Sequence, residues 1–211
     1  MSGPSDIATA EFGLLRPRDQ IEAASEALGG HGVTSVVVDS GEDAKDAVLS
    51  MLPVGAEIFN NTSRTLESIG LAEVIERSGA FQPLRLRLYQ MDHEMQRREM
   101  RQLAAAPDFV LGSAHAVTTD GSLLVASASG SQLGPLVSGA GEVILVIGGQ
   151  KVVADVATGL RRILEYCFPL EDQRAREAYG VPSGVNNVLI INQVVVPDRI
   201  TAIMVDEVLG F

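Results

Sequence analysis

Short runs of aliphatic and β-branched residues recur along this chain with helix-periodic segments between them, and that alternation restricts the fold more than any other feature. Residues 143–147 form the strongest run, apolar at every position, as a strand buried on both faces must be. Residues 33–38, 56–59 and 109–111 are shorter runs, and 188–191 and 200–205 close the chain. Between them Ile21, Ala24 and Leu28, then Ala44, Val48 and Met51, then Leu66, Ile69 and Ile75, then Val156, Leu160, Ile163 and Cys167 repeat at helical spacing. Parallel strands need crossover connections, and helices usually supply them. The expected architecture is α/β: an open, mainly parallel, doubly wound sheet with helices on both faces. An antiparallel hairpin interrupts it, with Ala116, Val117 and Thr118 paired to residues 123–126 across the Asp120-Gly121 turn.

Several boundaries follow from the same reading. Thr62 or Ser63 caps a helix that Gly70 bends or splits. Leu84, Leu86 and Leu88 alternate with Arg85 and Arg87, which predicts a half-exposed strand, and a charged helix from Asp92 carries His93 on its surface. Pro169 ends the helix that begins near Val156, and a separate short helix covers 171–179. Residues 1–15 read as a flexible tail and 16–211 as one domain, because 211 residues lie near the upper end of what one core supports.

The net charge of −11 disfavours a polyanion, so nucleic acid is not an expected partner. No apolar run approaches the roughly 20 residues of a membrane span, and the first dozen residues lack a leader pattern, so the expected location is the cytoplasm. One cysteine, Cys167, and three scattered histidines fit no metal spacing. Neither a metal nor a cofactor is expected to be resident, and any redox centre belongs to a partner.

In parallel sheets ligands sit beyond the carboxyl ends of the strands, which directs attention to the loops after Phe59, Ala126 and Ile147. The first holds Asn60, Asn61 and Thr62, which can bind a ligand or cap a helix. The second holds Ser129, Gly130, Ser131 and Gln132 before a short helix through Leu133 and Leu136. It is either a cradle of backbone N–H groups for an anion or an exposed Ser/Gly turn. The third holds Lys151 after Gly148-Gly149, expected to be exposed, and either a cation for a phosphate or carboxylate or a solvated turn residue. His115 is a general acid/base or a structural histidine, Cys167 an inert core thiol, and no catalytic residue stands out.

The stretch DFVLGSAHAVTTDGSLLVASASGSQ from Asp108, the strand and Gly-Gly-Gln-Lys turn that follow, the stretch LRRILEYCFPLEDQRAREAYGVPSGVNNVLIIN from Leu160, the junction NNTSRTLESIGL at Asn60 and the terminal LGF together resemble the LUD (lactate-utilisation) domain family, its protein C branch in particular. The resemblance covers most of the chain. It implies the open α/β fold shared with phosphosugar isomerases, deaminases and CoA transferases. It also implies the cluster-free subunit of an L-lactate-oxidising system that binds a small anion, with iron–sulfur and flavin-type oxidoreductase subunits as partners and a homo-oligomer left open. Gln132 stands where the branch's loop carries an arginine, which leaves Lys151 as the cation. Fold kinship alone suggests the alternatives, a stand-alone enzyme on a phosphorylated or CoA-like substrate or a structural interaction protein.

Overall fold

In the computed structural model, which describes residues 3–92 and 94–211, the chain opens with α1 (Asp6–Phe12) and α2 (Arg18–Gly30). Strands and helices then alternate as β1 (Thr34–Val38), α3 (Gly41–Met51), β2 (Glu57–Asn60), α4 (Arg64–Ser68), α5 (Leu71–Arg77), β3 (Gln82–Pro83), α6 (Leu84–Gln90), α7 (Arg97–Ala105) and β4 (Phe109–Gly112). The second half runs β5 (Ala116–Thr118), β6 (Leu123–Ser127), β7 (Glu142–Gly148), β8 (Val152–Val153), α8 (Val156–Arg162), α9 (Phe168–Tyr179), β9 (Asn187–Ile191) and β10 (Ile200–Val205).

Six strands form a wholly parallel sheet in the order β1-β10-β7-β4-β2-β3. β7 lies inside it, with Leu145 opposite both Ala202 and Gly112. Its alternate residues enter two cores: Val143, Leu145 and Ile147 on one face, Ile144 and Val146 on the other. On the second face α3, α4 and α5 contribute Val48, Leu66 and Ile75. On the first face lie α2 and a second sheet of order β8-β5-β6-β9, whose Val117, Leu123 and Val125 fill the same core. The expected hairpin is therefore the centre of a four-stranded mixed sheet, and α8 covers its far side through Val156 and Leu160, with Ile163 just after it.

Local chemistry sets the boundaries. Ser63 caps α4 by accepting from the Leu66 N–H, and Gly70, at φ +72, separates α4 from α5. Three expectations fail. Residues 84–90 are the helix α6 and not a strand: Leu and Arg are strong helix formers, Pro83 starts the turn with φ −76, and the adjacent β3 is an edge of the sheet. The charged helix begins at Arg97, preceded by a turn in which Asp92 Oδ1 accepts from the Glu94 and Met95 N–H groups; His93 lies outside the described residues. Pro169 does not end a helix. A widened π turn, Ile163–Cys167, joins α8 to α9 directly before it, the kind of distortion that relieves a proline ring against the preceding turn.

Of the tail expected at 1–15, the described residues 3–15 contain the helix α1. In α1, Phe12 is fully buried against Tyr166 and Cys167, and the outer surface is tied down by Arg161, which meets Glu11 at 2.9 and 3.1 Å. Phe12→Ala is expected to cost about 3–5 kcal/mol in urea denaturation. Ile7→Ala, at a position 78% exposed, stays within about 0.5 kcal/mol.

Candidate functional site

Because β2, β4 and β7 run parallel, their carboxyl ends reach one edge of the sheet, and the residues after Asn60, Gly112 and Gly148 meet there. They surround a cavity of about 330 Å³. Lys151 lies in a short 3₁₀ turn, Gly149–Lys151, between β7 and β8. Asn61, Thr65, Lys151 and Cys167 are among its buried side chains, while Thr62, Ser129 and Ser131 are exposed at its mouth. On another wall Glu171 and Arg174 of α9 pair through two contacts of 2.7 Å.

Of the expected ligand residues, Asn61, Thr62, Ser129, Ser131, Gln132 and Lys151 border this cavity. Asn60 and Gly130 do not. Asn60 is buried at the end of β2, and Gly130, at φ +79, shapes the loop by donating its N–H to Ser127 Oγ at 2.9 Å. The expected short helix through Leu133 and Leu136 is present, mostly as a widened π turn, Pro135–Gly139, and Gln132 donates to the Ala126 carbonyl at 2.9 Å, closing the loop on itself. Ser129 and Ser131 are bonded to each other at 2.9 Å. The largest correction concerns Lys151, which is 1% exposed, because the chain passes from the first sheet straight into β8, paired with β5.

Thr65, Ser113, Arg162 and Arg174 were not singled out from the sequence. Ser113 follows a third parallel strand, so the rule that pointed to the other junctions would have found it. Arg162 is fully buried, donating to the His115 carbonyl, to Cys167 Sγ at 3.0 Å and to the Phe12 carbonyl at 3.4 Å.

The model of the LUD domain matches residues 21–205. The chain belongs to the LUD domain family. A crystal structure of a DUF162 family protein from Deinococcus radiodurans has the same fold, with a TM-score of 0.56 at 12% identity, covering 91% of this chain and 99% of that one. No curated protein sequence matches. Among the described residues of this LUD domain no three His, Cys, Asp or Glu side chains converge, and no helix is long and apolar enough to cross a membrane.

The floor of the LUD-domain cavity is cationic. Lys151 Nζ donates to Thr65 Oγ1 at 2.8 Å and Ser113 Oγ at 3.0 Å, and among the described residues no carboxylate pairs with it. Burial, and then the Arg162 charge, push its ammonium down to about 7. His115, only partly accessible, accepts the Ala126 N–H on Nδ1 at 3.2 Å; burial and then Lys151 push it down to about 3, so it is neutral at physiological pH. Burial raises the Cys167 thiol against the pull of Arg162.

A lysine whose folded titration lies below its unfolded one destabilises the fold at low pH, and the penalty fades as pH rises from 7 toward 10.5. Lys151→Met is therefore expected to be the more stable protein at pH 6. Chemical denaturation should show the difference shrinking by about 1.4 kcal/mol for each pH unit above 7; a gap that is constant with pH would contradict the buried ammonium.

Proposed function

We propose that this LUD domain binds a small anion on the Lys151 ammonium. As its likeness to lactate utilisation protein C suggests, it serves as the cluster-free component of an L-lactate-oxidising system, with iron–sulfur and flavin-type oxidoreductase subunits as partners. One observation carries the reading: a buried cation faces a cavity and, among the described residues, has only two hydroxyl oxygens as partners. A buried charge normally has a counter-charge, and a carboxylate or phosphate entering from the mouth supplies it. Asn61 adds an amide oxygen without a partner, able to accept from a ligand hydroxyl or amide.

The cavity volume supports a second reading. About 330 Å³ is at the low end of the roughly 300–1,000 Å³ of sites that bury a drug-sized ligand, with room beyond a three-carbon acid. That favours a phosphorylated or CoA-like substrate of a stand-alone enzyme.

L-Lactate at millimolar concentration is expected to raise the melting temperature of the wild-type protein and leave that of Lys151→Met unmoved. Calorimetry should find lactate affinity about 30-fold weaker at pH 8.5 than at pH 6, following loss of the ammonium. A shift undiminished in Lys151→Met refutes the site, and displacement of lactate by a sugar phosphate or CoA thioester selects the second reading.

A further inference from the structure

Basic positions in this chain are filled by 14 arginines and only two lysines, Lys45 and Lys151. Arginine does not give up its proton in proteins, whereas a buried lysine does so readily. The buried base that borders the cavity is a lysine.

The hydroxyl protons around it are already committed. Thr65 donates its own to the Leu209 carbonyl at 3.2 Å, and Ser113 donates to the Ala114 carbonyl at 3.2 Å. Both hydroxyls therefore meet Lys151 as acceptors, at 2.8 and 3.0 Å. A neutral amine has two N–H bonds and one lone pair. The two hydroxyls take the N–H bonds, and the lone pair is left for the cavity that Lys151 borders. The surrounding charges agree with this form: Arg162 from α8, the Cys167 thiol from the π turn and the neutral His115 after β4 leave the amine without a carboxylate partner, and Glu171 is held by Arg174. A lysine desolvated beside another cation is an activated nucleophile.

We propose that the Lys151 amine is a nucleophile toward 2-oxo acids, forming an imine at their carbonyl carbon. The lone pair forms the N–C bond while the carbonyl π pair moves to oxygen. The two amine protons then leave with that oxygen as one water, and protonation of the imine nitrogen restores a positive charge. The acid is the fitting class because Arg162 keeps the floor positive even when the amine is neutral, which draws an anionic carbonyl compound. Asn61 Oδ1, buried and without a partner, is placed to accept from the hydroxyl of the carbinolamine. This inference deepens the anion-binding reading of the same cavity, and its pH dependence has the opposite sign.

Full-length protein incubated with pyruvate and cyanoborohydride, then mapped by peptide mass spectrometry, tests it. One reduced adduct per chain is expected on the Lys151 peptide, with Lys45 and the chain's first amine as internal controls. Trapping should rise about tenfold from pH 6 to pH 8.5, the ratio of neutral amine for a group titrating near 7. No adduct, or equal labelling of Lys45, overturns the proposal even if Lys151→Met fails to fold. Lactate binding without trapping removes the imine and keeps the anion site, whereas trapping without lactate binding does the reverse.

Discussion

β7 is held from all sides. It pairs with β10 and β4, and its alternate side chains fill two separate cores, so neither its register nor its end point can slide without exposing one of them. Where it stops there is no room for a side chain: a Cβ on Gly148 would stand 2.3 Å from Gln150 Oε1, and one on Gly149 2.4 Å from Ile21 Cδ1. Two glycines let the backbone turn at that spot and enter the second sheet within three residues. Gln150 then binds the carbonyls of Leu209 and Gly210 through its amide nitrogen, at 3.0 and 3.1 Å. Lys151 is thus bolted between two sheets and the Leu209 segment, and its amine has nowhere to go but the cavity.

That placement conflicts with the rest of the molecule. The protein is strongly acidic, yet Lys151 and Arg162 are buried within each other's field, and among the described residues neither forms an ion pair. Hydroxyls, carbonyls and a thiol accept from Lys151 Nζ and from the terminal nitrogens of Arg162, while Arg162 Nε is buried without a partner, so the desolvation cost is lowered but not removed. Exposed ion pairs such as Arg18–Glu22 contribute little by comparison. Local rules of folding are broken here and kept almost everywhere else, the usual mark of a site selected for chemistry.

Period and composition made the architecture legible, because β-branched density and helical spacing are local properties that survive into the fold. The hairpin around Asp120-Gly121, the Ser63 cap and the break at Gly70 were all readable for that reason. Depth was not. Lys151 follows two glycines and looks like a surface turn; only the pairing of Val152 with Val117 buries it. Arg162 sits beside Arg161 in an amphipathic helix, and nothing in that doublet says that one is half-exposed and the other sealed under α1. The leucine alternation at 84–88 misled because a period of two specifies a strand only where a neighbouring strand is present to pair with it.

The N-terminal helix has a part in this chemistry despite lying outside the cavity. Phe12 and its carbonyl close over Arg162 and Cys167, and Arg16 fastens the segment to the Val152 carbonyl at 3.1 Å. A seven-residue helix held by few buried side chains and a partly exposed ion pair opens more readily than the strands of the core. An opening of α1 would let water reach the guanidinium, screen its field at Lys151 and return part of the proton to the amine. The charge of the cavity floor would then follow how tightly a seven-residue helix outside it is closed.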